Sequence, residues 1–203
     1  VRAQKMEIPA TFEDMLPMIA LETARMSFPS SMSRGKNAPM VSNGEFTPKK
    51  VVENYFKRAF PIKEALSPNK LPFDEWHKVQ TIKFGNYLYR YKVIGAGRNS
   101  RGLAVKFLNT YMHQLMKYAE ARHNWSALHL PLDQKIFNQL KNLDYESLDS
   151  VKDLLNRSPY KMGYPSYFKI QEALGKLIAE LNSRNSASYS FTSRVQLNWL
   201  WSQ

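Results

Sequence analysis

Apolar side chains recur along this chain at helical spacing, and the pattern is clearest in the amphipathic run from Arg101 to Arg122. Ala104, Leu108, Tyr111, Leu115 and Tyr118 follow one another at steps of three and four, which lines one face of a helix for burial. Earlier in the chain, Thr47-Pro48 is a helix start, with Thr at the cap and Pro in the first turn. Val51, Val52, Tyr55, Phe56 and Phe60 give that helix an apolar face, and Pro61 ends it. Thr11-Phe12-Glu13-Asp14 caps a preceding helix that runs to about Met26, with Pro17 either kinking it or marking its beginning. Phe73-Asp74-Glu75-Trp76 opens a further helix to about Lys83, which Gly85-Asn86 is expected to break. Tyr87 to Val93 alternates as a strand would, but its place between two helices favours a short helix.

Beyond the central run, Trp125 to Pro131 reads as a loop, and Pro131-Leu132-Asp133 begins a helix with Ile136, Phe137 and Leu140 inward. Tyr145 to Leu155 predicts a short helix. Tyr164-Pro165 starts a long one to about Leu181, with Ile170, Leu174, Leu177, Ile178 and Leu181 apolar. Asn182 to Ser190 is polar loop, and Ser193 caps a last helix ending in Trp199-Leu200-Trp201. Ser27 to Asn43 is rich in Ser, Pro, Gly and Asn, and Arg34 and Lys36 make it a basic loop. No internal repeat or low-complexity tract interrupts this order. The fold class is all-α, with two lobes and a cleft between them. An N-terminal helical segment, residues 1–80, precedes a core of residues 81–203, and the two form one compact unit.

A chain of 203 residues, 43% of them hydrophobic, is long enough for one large core or two small lobes. Charge narrows the partner. With 29 Lys and Arg against 17 Asp and Glu, the net charge is +12, which suits a polyanion: nucleic acid first, an anionic membrane surface second. The plainer alternative is a basic surface with no such partner. Aromatic content, 11 Tyr, 11 Phe and 4 Trp, suits stacking on bases as well as core packing. The absence of cysteine excludes disulfides, Cys-ligated zinc and thiol nucleophiles. His77, His113, His123 and His129 show no ligand spacing and read as ordinary side chains, so no metal is expected. No apolar run reaches the ~18 residues of a membrane span, and no signal peptide is visible. A cytoplasmic protein without membrane contact is expected.

The candidate chemistry begins at Ile94-Gly95-Ala96-Gly97-Arg98-Asn99-Ser100. A Gly-x-Gly turn before a helix presents orphan backbone amides, and these and the helix dipole favour an anion such as phosphate. A turn that merely joins two packed helices would look the same.

The order of helix, Ile94-Gly95-Ala96-Gly97 and second helix resembles the helix–hairpin–helix, which grips DNA through phosphate contacts. Downstream lies Leu130-Pro131-Leu132-Asp133-Gln134-Lys135-Ile136-Phe137. The pairing resembles the helix–hairpin–helix DNA glycosylases, and among them is most similar to the archaeal-type 8-oxoguanine glycosylases. Leu103-Ala104-Val105-Lys106, the long spacing to Asp133 and the closing Leu200-Trp201 carry that closer match, over roughly residues 85–203.

The resemblance implies a two-lobed helical fold acting as a monomer on double-stranded DNA. Asp133 would be the catalytic carboxylate, stabilising positive charge on the sugar and orienting water; as a plain residue it would be a helix N-cap. Asn99 stands where bifunctional relatives carry the lysine that forms a Schiff base, so strand cleavage is not expected and the product is an abasic site. Trp201 would stack on the flipped base, with Trp199, Trp76, Tyr87 or Trp125 as the opposite wall and Lys106 on the base or a phosphate. Gly95, Gly97, Arg98, Arg101, Arg34 and Lys36 would hold the DNA backbone. No cofactor is implied, other than a monovalent cation that the hairpin could hold. The family's pocket acid, four positions before the tryptophan, is Leu197 here, between Gln196 and Asn198. That departure points away from 8-oxoguanine. The alternatives are another oxidised purine, in DNA repair, and a hypermodified cytosine of phage DNA, in antiviral defence. Two other functions remain open: a non-catalytic helix–hairpin–helix DNA-binding protein, and an all-α protein that binds RNA or another anionic partner.

Overall fold

The computed structural model describes residues 11–27, 47–67, 72–91, 93, 99–118, 126–159, 162–184, 190–194 and 196–197, with backbone alone at 26, 27 and 99–101. Among them the chain is all-helical, without strands. Helix α1 spans Phe12–Ser27, α2 Pro48–Arg58, α3 Ile62–Leu66, α4 Phe73–Arg90 and α5 Asn99–Leu115. Helix α6 spans Gln134–Lys141, α7 Glu146–Asp149, α8 Lys152–Leu155 and α9 Tyr164–Arg184.

Local chemistry sets the helix starts. Asp14 accepts from both the amide and the hydroxyl of Thr11, and the Thr11 hydroxyl accepts from the Asp14 amide. This reciprocal cap fixes the start of α1 at Phe12, so Pro17 lies inside the helix and does not mark its beginning. Thr47 caps α2 through the Lys50 amide, with Pro48 at the first helical position.

Gly85 does not break α4. The helix runs unbroken through Gly85 and Asn86 and takes in Tyr87 to Arg90, which had predicted a separate short helix. Gly85 is buried against α5, where a Cβ would stand 3.7 Å from that of Ala104. Tertiary packing outweighs the roughly 1 kcal/mol by which glycine disfavours a helix interior. Helix α5 stops at Leu115, short of Arg122, and Met116 to Tyr118 form a turn. The predicted helix from Tyr145 to Leu155 is divided into α7 and α8 at Ser150 and Val151.

Buried apolar side chains fall into two clusters. The first draws on α1, α2, α3, α4 and α5, where Ala104, Leu108, Tyr111 and Leu115 are buried as their spacing predicts. Its centre is aromatic: Phe56 stacks on Tyr111 at 4.0 Å and Tyr55 on Phe84 at 4.3 Å. These rings do core work, each contributing about 1.5–3 kcal/mol by burial alone. The second cluster draws on α6 to α9 together with Leu130, Leu132, Phe191 and Leu197. Val105 of α5 joins it, so α5 serves both clusters. The chain passes from the first cluster to the second between Leu128 and Leu130.

Candidate functional site

Asp133 is the N-cap of α6. Its backbone is extended, and Oδ1 accepts from the Ile136 amide at 2.9 Å. Leu132, Ile136 and Phe137 are buried in the second cluster and hold the cap in place. The side chain is half-buried, and among the described residues Oδ2 has no hydrogen-bond partner. A carboxylate with one oxygen anchored and one unengaged is a rigid acceptor.

Helix α5 supplies the other predicted residues. It opens at Asn99, with Arg101 in its first turn. Lys106 is half-buried two turns on, and the neighbouring Val105 enters the apolar cluster that also contains Leu132 and Ile136. Helix α5 and the Asp133 segment therefore share one core. Gly95, Gly97, Arg98, Arg34, Lys36, Trp125, Trp199 and Trp201 lie outside the described residues, as do the side chains of Asn99 and Arg101.

Two of the aromatic candidates have structural roles. Trp76 is buried between Phe60 and Phe73 and donates its indole N–H to Glu64 Oε2 at 3.0 Å, so it does not form the wall of a base pocket. Tyr87 is half-buried against Tyr55 and Tyr91, and burial raises its pKa. Leu197, which the resemblance would set in place of a pocket acid, is fully buried in the second cluster. Its neighbour Gln196 folds back to accept from the amides of Thr192 and Ser193.

Sequence reasoning missed a buried polar network where the two clusters meet. His77 and His129 do come together, with ring centroids 4.3 Å apart. His129 Nε2 lies 2.7 Å from Asp74 Oδ1 and its Nδ1 lies 3.0 Å from the Tyr167 hydroxyl. That hydroxyl accepts from Asn109 Nδ2 at 2.7 Å, and Asn109 Oδ1 lies 2.8 Å from His77 Nε2. The Tyr164 hydroxyl lies 3.3 Å from His77 Nδ1 and 3.3 Å from the Asp74 carbonyl oxygen. Arg194 closes the strip, donating to the Ala127 carbonyl at 2.9 Å and standing 3.5 Å from Asp74 Oδ1.

Counting donors fixes the tautomers. The Asp74 carboxylate only accepts, so a neutral His129 must donate from Nε2, and its bare Nδ1 must then accept from the Tyr167 hydroxyl, which in turn accepts from Asn109. The Asp74–His129 distance would suit an ion pair, but burial pushes the His129 pKa down to about 4. At neutral pH the contact is therefore a hydrogen bond from a neutral imidazole to a carboxylate. Burial, then the nearby His129, lowers the His77 pKa well below its usual value, and burial raises that of Tyr167. The hydrogen bond from His129, helped by Arg194, holds the Asp74 carboxyl below the usual carboxylate range despite partial burial.

Asp74 with His77 on α4 and Tyr164 with Tyr167 on α9 are each three residues apart, but Asn109, His129 and Arg194 are distant from both pairs, so no local signal groups the network. Among the described residues no set of His, Asp and Glu side chains converges to hold a metal ion. No described helix is long and apolar enough to cross a membrane. In comparisons with known proteins, no family model, no curated sequence and no solved structure matches the chain.

Proposed function

We propose that this protein is a monofunctional DNA glycosylase: it flips a damaged or modified base out of duplex DNA and hydrolyses the N-glycosidic bond, leaving an abasic site. The supporting observation is Asp133, an anchored N-cap carboxylate whose second oxygen has no partner among the described residues, on a helix that shares its core with α5. In the reaction the base leaves with the bonding electron pair and takes up a proton. Positive charge then develops on the sugar, where the Asp133 carboxylate would stabilise it and accept a proton from the attacking water. Backbone amides at Gly95 and Gly97, with Arg98, Arg101, Arg34, Lys36 and Lys106, would hold phosphates. Trp201 and Trp199 would hold the flipped base. Asn99 would position substrate or water, because its amide cannot form a Schiff base.

The test is incubation with duplexes carrying a panel of oxidised purines and phage-type modified cytosines. Alkali-labile sites report excision, and mass spectrometry identifies the released base. Asp133→Asn keeps an equally good N-cap, so it should leave folding and duplex binding intact while abolishing release. Base release at the wild-type rate by that variant would remove Asp133 from the chemistry. Borohydride should trap no covalent adduct.

A second function is favoured by one observation: the bond from Asp133 to Ile136 accounts for this carboxylate as a cap alone. A non-catalytic duplex-binding protein would then show steeply salt-dependent binding and no base release from any substrate.

A further inference from the structure

Among the described residues the exposed large apolar side chains are Met18, Val79, Ile82 and Tyr89, and all but Met18 lie on α4. Val79 is 45%, Ile82 40% and Tyr89 54% exposed, whereas Trp76, His77, Gln80, Thr81, Phe84 and Leu88 of the same helix are buried. At about 100° per residue, the exposed positions from Lys78 to Lys83 cover an arc of about 140°. Across that arc the order is Lys78, Tyr89, Ile82, Glu75, Asn86, Val79, Arg90, Lys83. An apolar stripe about 15 Å long thus runs along α4, with a lysine on one flank and a lysine and an arginine on the other. No carboxylate among the described residues forms a salt bridge with Lys78, Lys83 or Arg90.

We propose that this face of α4 docks an acidic amphipathic helix of a partner protein. Val79, Ile82 and Tyr89 meet the partner's apolar stripe, and Lys78, Lys83 and Arg90 meet carboxylates on either side of it. Charge decides the occupant. A second copy of this chain, laid along α4, would set cations against cations. A nucleic acid backbone would leave the apolar stripe against phosphates and sugars. A lipid surface would have to desolvate Glu75 and Asn86, which lie in line with the stripe. A polypeptide helix can supply apolar knobs, hydrogen bonds to Asn86 and flanking acids together. The patch is small, so the complex is transient rather than obligate. This docking does not depend on glycosylase activity, and its success or failure leaves that proposal untouched.

The probe is a fluorescein-labelled synthetic helix of about 18 residues, with a leucine stripe flanked by glutamates, followed by fluorescence anisotropy. Binding to the intact protein should be saturable and should weaken as salt rises from about 50 to about 300 mM. Ile82→Asp, at an exposed position whose effect on folding is checked by circular dichroism, should weaken binding about tenfold. The double variant Lys83→Glu, Arg90→Glu should lose about tenfold for the glutamate peptide and recover it with a lysine-flanked version. Rescue by the reversed charges is the result that a merely sticky basic surface would not give. Absence of binding, indifference to Ile82→Asp or failure of the rescue would each overturn the docking. So would variants that impair binding of a duplex oligonucleotide or phosphatidylserine vesicles while leaving peptide binding unchanged.

Discussion

Tyr167→Phe removes one oxygen from the centre of the polar network and leaves the ring in place. The residue is 4% exposed, and its hydroxyl both accepts from Asn109 Nδ2 and faces His129 Nδ1. The substitution opens almost no cavity, so the cost comes from two stranded groups: a buried amide donor and a buried imidazole acceptor. Each costs about 1–3 kcal/mol when left without a partner, which gives about 2–6 kcal/mol together. Against a typical total of about 5–15 kcal/mol, that is a large fraction of stability. Urea denaturation measures it: at an m value of about 2 kcal/mol/M, a loss of about 3 kcal/mol lowers the midpoint by about 1.5 M without changing m. The control is Tyr145→Phe, whose ring lies 4.8 Å from the Arg184 guanidinium and which should shift stability by less than about 0.5 kcal/mol. Replacing Asn109 by Leu in the Tyr167→Phe background should cost less than the sum of the two single changes, because one stranded donor disappears. A loss under about 1 kcal/mol, or one equal to the control, would mean that the network does not carry the junction between the clusters.

The same network sets a pH dependence. His129 is held at about 4 in the folded protein against 6.5 when unfolded, so its contribution is complete above pH 6.5 and falls as pH drops toward 4, by about 3 kcal/mol; lowered Asp74 adds a loss below about pH 3.9. Urea midpoints that stay constant from pH 7 to pH 4.5 would refute it. Gly85→Ala should raise stability by about 0.5–1 kcal/mol, since a Cβ meets Ala104 at ordinary contact distance and helix propensity improves. Thr47→Ala should cost about 1 kcal/mol through loss of the α2 cap, read from thermal or urea midpoints.

What could be read from the sequence was local. The stripe from Ala104 to Leu115, the caps at Thr47 and Asp133 and the start of α9 at Tyr164 follow from rules spanning a few residues, and all are present. What was misread depended on neighbours distant in sequence. Gly85 looked like a break because its helix-breaking tendency is visible in the chain and its contact with Ala104 is not. Trp76 looked like a base platform because composition cannot distinguish a core ring bonded to Glu64 from an exposed one. His77 and His129 looked unrelated because only the packing of α4 against the segment before α6 brings their rings together. Of the candidate site, Asp133 was legible as both cap and carboxylate, and the cap is what its backbone and its bond to Ile136 show.

The buried polar strip bears on the site as well as on stability. Apolar packing alone tolerates small slides between helices, whereas a directional chain of hydrogen bonds specifies one arrangement. Here Asn109 of α5 is tied through Tyr167 to α9, and Gln171 of α9 holds both the amide and the carbonyl of Leu130, at 3.0 and 2.8 Å. Leu130 is three residues before Asp133, across Pro131 and the buried Leu132. The carboxylate is therefore positioned relative to α5 from both sides, by Gln171 through the backbone and by Val105 through the shared core. In the proposed reaction the carboxylate would have to meet a sugar held near the start of α5, and there the fixed spacing would matter as much as its chemical identity, because an error of about 1 Å in placement can cost two orders of magnitude in rate. Stability and site geometry thus depend on the same side chains.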